Sequence, residues 1–111
     1  MEITKKEEDG IVQVAIIGRL DASSSNEADE TVSAILNDGA NKLLFNLGQL
    51  EYLSSAGLRV LLAAAKKIRL IEGKVVLCSL NQYVKEIFEV SGFESLIPIA
   101  DSVEAGLIEL S

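Results

Sequence analysis

The 111-residue sequence contains no histidine and no tryptophan, and only one cysteine (Cys78) and one proline (Pro98). Without histidine, neither a Ser-His-Asp triad nor a Cys-His pair can form within the chain. At most one His or Cys ligand exists, so zinc sites built from those residues are excluded as well. One cysteine makes no internal disulfide, and its place in the apolar run KVVLCSL reads as a buried, inert thiol. Cations are also scarce: 10 Lys and Arg face 17 Asp and Glu, a net charge of −7. That balance argues against backbone-directed binding of nucleic acid and against docking on anionic lipid. The longest apolar stretch, Val60 to Ala65, falls far short of the ~20 residues of a membrane span. The opening MEITKKEEDG lacks the apolar segment of a signal peptide. The expectation is a cytoplasmic protein with no nucleic-acid or membrane partner, and with no metal or cofactor of its own.

What is present suffices for one core. The chain is 49% hydrophobic, so a single domain over residues 1–111 can bury enough apolar surface without staples. Ile3 to Glu7 reads as a charged edge strand, Asp9-Gly10 as a hairpin turn, and Ile11 to Ile17 as a strand apolar on nearly both faces. Ser24 and Glu27 have capping-box spacing, followed by Ala28, Val32, Ile35 and Leu36 at helical steps. Lys42 to Leu47 is a second buried strand, and residues 48–53 read as a loop. A long helix then starts at Ser54 or Ser55 with the stripe Leu58, Leu61, Leu62, Ala65 and Ile68. Its C-terminal Lys66, Lys67 and Arg69 suit the helix dipole. Lys74 to Cys78 makes a third buried strand, and Asn81 caps a helix carrying Val84, Ile87 and Phe88. Leu96 to Ile99 is a short strand whose Pro98 points to an edge, and Asp101 and Glu104 frame a last helix over Ser102 to Leu110. This order predicts an α/β fold: a mixed, mostly parallel sheet of about five strands, an N-terminal antiparallel hairpin and about four helices.

In open α/β sheets, binding surfaces gather beyond the carboxyl ends of the parallel strands. Three loops qualify: Arg19 to Ser25, Leu47 to Gly57 and Ser79 to Gln82. The middle one ends in Tyr52-Leu53-Ser54-Ser55-Ala56-Gly57-Leu58. Adjacent serines at a helix start serve as caps or, alternatively, as a modification site. A phosphoserine adds a charge of about −1.5 to −2, which a helix N-terminus accommodates. No glycine-rich phosphate loop occurs, and Leu53 stands where a nucleophile elbow needs glycine. Asp21 and Glu51 read as solvated loop charges. No residue is assigned a catalytic role, and the chain is not expected to be an enzyme.

Gly18-Arg19-Leu20-Asp21-Ala22, together with Asn46-Leu47 and the run from Tyr52 to Leu62, resembles the STAS domain family. More narrowly, the chain is similar over essentially its whole length to the single-domain bacterial anti-sigma factor antagonists. The resemblance implies partner switching. The unphosphorylated antagonist binds an anti-sigma factor that is also a serine kinase, and the sigma factor is released. That kinase, using ATP and magnesium, phosphorylates a serine at the start of the second helix, and a metal-dependent serine phosphatase resets the cycle. The family's acceptor follows an Asp and lies two residues before the Gly, which places it on Ser55, with Ser54 as second choice. Ser54 occupies the position usually held by that Asp. The expected partner surface is Asp21, Ala22, Ser23 and Ser24 beside Ser54, Ser55, Ala56, Gly57 and Leu58, with Ser79 and Asn81 completing the rim. The alternative is a constitutive interaction module of the same fold, such as a signalling scaffold or a transporter-associated subunit, in which the serines are only caps. A nucleotide-binding domain is a third reading, disfavoured by the missing phosphate loop.

Overall fold

The strand whose sequence is apolar on both faces, β2 (Ile11–Leu20), organises the sheet in the computed structural model, which describes residues 1–111. Strand β1 (Glu2–Glu8) pairs with it antiparallel, from Glu8 opposite Ile11 to Glu2 opposite Ile17. Their turn places Asp9 at φ 53° and Gly10 at φ 79°, the positive pair that a two-residue hairpin turn requires. Strand β3 (Lys42–Asn46) runs parallel to residues 12–15 of β2. Strand β4 (Leu50–Leu53) runs parallel to residues 18–20. Strands β5 (Lys74–Cys78) and β6 (Ile99–Ala100) extend the sheet beyond β3, giving the order β1-β2-β3-β5-β6 with β4 joined to β2.

Alternation along the strands sends side chains to two unequal cores. Leu43, Phe45, Val75 and Leu77 join Val14 and Ile16 in the larger cluster. It is covered by α1 (Ser25–Asn37), α2 (Ser55–Leu70) and α3 (Gln82–Ser91), through residues such as Val32, Leu61, Ile68 and Phe88. Leu44, Val76 and Cys78 point the other way, with Ile11, Ala100 and Leu110, under α4 (Val103–Leu110). Burial pushes the Cys78 thiol up, with a smaller opposing effect from Ser79, which fits an inert cysteine. Lys67 ties α2 to α1, reaching Asp29 at 3.3 Å and Ser33 at 3.0 Å. No helix is long and apolar enough to cross a membrane.

The α/β class, the hairpin, the parallel remainder and the four helices agree with the sequence reading. Local differences have physical causes. Residues 50–53, read as loop, form β4: Leu50 and Leu53 are buried, and pairing with β2 makes a strand of a segment too short to show a period. Strand β2 continues three residues past Ile17 through an irregularity between Gly18 and Arg19, where Gly18 adopts φ 91°. The final strand is only Ile99–Ala100, preceded by a 3-10 turn at Phe93–Ser95, and it does lie at the sheet edge. The capping box at Ser24 does not form. Ser24 has helical rather than extended backbone angles, and its hydroxyl turns back to donate to the Arg19 carbonyl at 2.9 Å. At the last helix the cap is Ser102, which accepts from the Ala105 amide at 3.1 Å.

Two substitutions test this layering. Phe45 is fully buried, so Phe45→Ala is expected to lower unfolding free energy by about 3–5 kcal/mol in urea titrations. Val90 on α3 is 90% exposed, and Val90→Ala should move it by less than ~0.5 kcal/mol. Equal effects at both positions would contradict the assignment of the core.

Candidate functional site

The carboxyl ends of β2 and β4 meet where α2 begins. The Ser54 amide donates to the Leu20 carbonyl at 3.0 Å, and Ser54 then caps α2. Its backbone is extended (φ −91°, ψ 173°), and its hydroxyl accepts from the Gly57 amide at 3.2 Å. Gly57 is buried against the same strand end: a Cβ there would lie 2.4 Å from the Leu20 carbonyl oxygen and 2.8 Å from its Cγ. Only a hydrogen at this position lets the first turn of α2 sit on β2. The two serines therefore differ. Ser54 is half-buried and its hydroxyl is committed to the cap, whereas Ser55 is the first residue of the helix and its side chain is exposed.

The segment after β2 folds into a tight turn beside this helix start. Oδ1 of Asp21 accepts from the Ser23 amide at 3.0 Å and from the Ser23 hydroxyl at 2.7 Å. Its Oδ2 lies 3.5 Å from Nε of Arg19. The Ser23 hydroxyl, foremost, holds the Asp21 carboxyl below the usual carboxylate range; partial burial opposes it, and further hydrogen bonds from the Ser23 amide, Ser24 and Arg19 reinforce it. Ser24 locks the turn from inside, accepting from the Asp21 amide at 3.0 Å. Asp21 is thus the anchor of its own loop, while Ala22 and Ser23 are exposed at its tip.

The third loop joins through Asn81. Its Oδ1 caps α3 by accepting from the Val84 amide at 2.8 Å, and its Nδ2 donates to the Leu50 carbonyl of β4 at 2.9 Å. Ser79 takes a different course: its φ is 64°, it lies beside Gly48, and its amide donates to the Ala100 carbonyl at 3.4 Å. A row of side chains not foreseen from the sequence crosses this end of the sheet. The Arg19 guanidinium lies 4.2 Å from the centre of the Tyr52 ring, and Tyr52 stacks on Tyr83 with centroids 6.3 Å apart. This row depends on the pairing of Arg19 with Tyr52, a consequence of β4 that no local pattern signals. No group of three or more Cys, Asp or Glu side chains converges here as a metal site would need.

The profile of the STAS domain family matches residues 2–106. BtrV of Bordetella bronchiseptica, to which the role of anti-sigma factor antagonist is ascribed, is 38% identical over 105 residues, 95% of this chain and 90% of that protein. A Thermotoga maritima protein ascribed the same role superposes with a TM-score of 0.93 at 23% identity, covering 97% of this chain and 93% of the other. The Bacillus cell fate determinant SpoIIAA, solved in its phosphorylated form, gives a TM-score of 0.77 at 17% identity, covering 99% and 100%.

Two measurements probe the site's construction. Gly57→Ala should cost about 1–3 kcal/mol of unfolding free energy, because backbone rather than a flexible side chain blocks the added methyl. Ser23→Ala should raise the Asp21 carboxyl toward its ordinary value, read by NMR titration of the side-chain carboxyl carbon. Because the folded-state value is the lower one, the stability Asp21 contributes is complete above the ordinary carboxylate range. It is lost as pH falls through the lowered value. An unshifted Asp21 in the Ser23→Ala chain would remove that hydroxyl as the cause.

Proposed function

The chain belongs to the STAS domain family, and on that premise we propose that it is an anti-sigma factor antagonist switched off by phosphorylation of Ser55. The observation that carries the proposal is the unequal use of the two serines at the start of α2: one hydroxyl caps the helix, and the other is presented to solvent. The role ascribed to BtrV and the existence of a phosphorylated SpoIIAA support the same reading. The partner is an anti-sigma factor that is also a serine kinase, and both proteins act in the cytoplasm.

In the unphosphorylated state the partner meets a surface of small groups. Ser55 and Ala56 of the helix start lie beside the turn of Asp21, Ala22, Ser23 and Ser24, with Leu58 half-buried behind them. Gly57 and Ser54 set the height of that surface through their contacts with Leu20, and Asn81 ties the third loop to it. Such a surface can be covered closely without stranding a charge. The kinase transfers the γ-phosphoryl group of ATP to Oγ of Ser55; a P–O bond forms there, the bond to the leaving ADP breaks, and the hydroxyl proton is given up. The product carries a charge of about −1.5 to −2 at the centre of the contact. Burying that dianion against a partner surface that offers it no cation costs several kcal/mol on an order-of-magnitude scale, enough to reverse binding. The fold tolerates the charge, because the first turn of a helix favours an anion. A serine phosphatase returns the hydroxyl by hydrolysis. The chain itself is a substrate and a binding partner, and catalysis belongs to the other proteins.

Incubation with the cognate anti-sigma kinase and ATP, followed by mass-spectrometric mapping, tests the assignment. One phosphate on Ser55 is expected, abolished in Ser55→Ala and retained in Ser54→Ala, which should lose about 1 kcal/mol of stability with its cap. Labelling that survives Ser55→Ala overturns the site. No labelling of either serine favours a constitutive interaction module instead.

A further inference from the structure

Ser55 and Arg59 stand one turn apart on α2, the spacing at which helical side chains share a face with Cβ atoms about 5–6 Å apart. Side chains on a helix lean toward its N-terminus, so the Arg59 stem covers the turn that carries Ser55. Arg59 is exposed and takes no part in the chain's ion pairs, which are Lys6–Glu8, Arg19–Asp21 and Lys67–Asp29. It lines a shallow groove between the first turns of α1 and α2, with Ala56 and Val60 on its own helix and Asp29 across the gap. Asp29, the one acid in that lining, is already held by Lys67 at 3.3 Å. Of the other charged groups at this end, Arg19 pairs with Asp21, Glu27 and Glu51 are exposed, and Lys85 and Glu86 are exposed on the start of α3. Arg59 is therefore a cation without a partner, placed beside the serine proposed to receive a dianion.

We propose that Arg59 is the intramolecular counter-ion of phosphorylated Ser55, an assignment that rests on the reading of Ser55 as the phosphoacceptor. The guanidinium fork matches phosphate oxygens, and the order of anion first and cation four residues later is the favourable one on a helix. Two consequences follow for the switch. Pairing favours the doubly ionised phosphate, whose second ionisation otherwise falls near about 6, so the full charge is present at neutral pH. It also fixes the phosphate on the helix face, where an approaching partner meets it, rather than leaving it to rotate into solvent.

Phosphoserine installed at position 55 by genetic encoding allows the test without any kinase. The phosphorus-31 NMR titration of the intact chain is compared with its Arg59→Gln and Arg59→Lys counterparts at low salt, with far-UV circular dichroism confirming that each is folded. The expected result is a second acid dissociation constant about two- to threefold larger in the parent than in the Arg59→Gln chain. The Arg59→Lys chain should be intermediate, and the differences should collapse at about 1 M salt. Equal constants in the parent and Arg59→Gln chains overturn the proposal. Because the phosphate is placed chemically, that outcome is separate from failure of a kinase to select Ser55, which the labelling experiment reads.

Discussion

The carbonyl oxygen of Leu20 accepts the Ser54 amide at 3.0 Å, and a methyl group on Gly57 would be only 2.4 Å from that oxygen. This crowded contact joins the last residue of β2 to the first turn of α2, and the candidate surface is built on it. It exists because β2 changes partners along its length, pairing with β3 at residues 12–15 and with β4 at residues 18–20. The change is made at Gly18, whose positive φ accommodates the irregularity. One strand end thereby supports two loops. The Asp21 turn hangs from it through the Ser24 hydroxyl bonded to the Arg19 carbonyl, and the serine pair through Ser54 and Gly57. A surface made on strand and helix ends in this way is stiff, which suits recognition by closeness of fit.

The division of labour between the serines follows from backbone position. An extended residue at the helix cap turns its side-chain oxygen onto the amide three residues on, and Ser54 meets the Gly57 amide in this manner. A carboxylate at the same place would accept the same hydrogen bond, so Ser54 preserves the cap that an Asp would provide while leaving the helix start uncharged. Ser55 has helical backbone and no such obligation. Added phosphate there enters a small-residue neighbourhood with no acid in the first turn of α2 and with Arg59 one turn further on. The overall charge of −7 gives the chain little cationic surface, which makes the placement of single cations such as Arg19 and Arg59 consequential.

The elements whose side chains repeat with a clear period were legible in the sequence: the two-faced apolar strands β2, β3 and β5 and the stripe of α2, together with the cap at Asn81. What escaped was set by contacts distant along the chain. Strand β4 has four residues, too few for alternation to declare itself, and it is a strand because β2 is beside it. The row Arg19, Tyr52 and Tyr83 inherits that invisibility, since it joins three separate segments. The pattern at Ser24 and Glu27 matched a capping box, yet Ser24 closes the Asp21 turn, a competition between local hydrogen bonds that spacing alone does not decide. The candidate site residues were proposed from a family motif. Which of the two serine hydroxyls is committed became clear only from backbone angles.

The central claim is that one phosphate at Ser55, rather than a change of fold, governs binding. Calorimetric titration of the purified anti-sigma kinase with the unmodified chain, and with the chain stoichiometrically phosphorylated on Ser55, addresses it directly. Unphosphorylated chain should bind at least about 100-fold more tightly, as loss of a few kcal/mol implies, while both forms give superimposable amide NMR spectra away from the start of α2. Equal affinities, or a phosphorylated chain whose spectrum shifts throughout the sheet, would contradict the account.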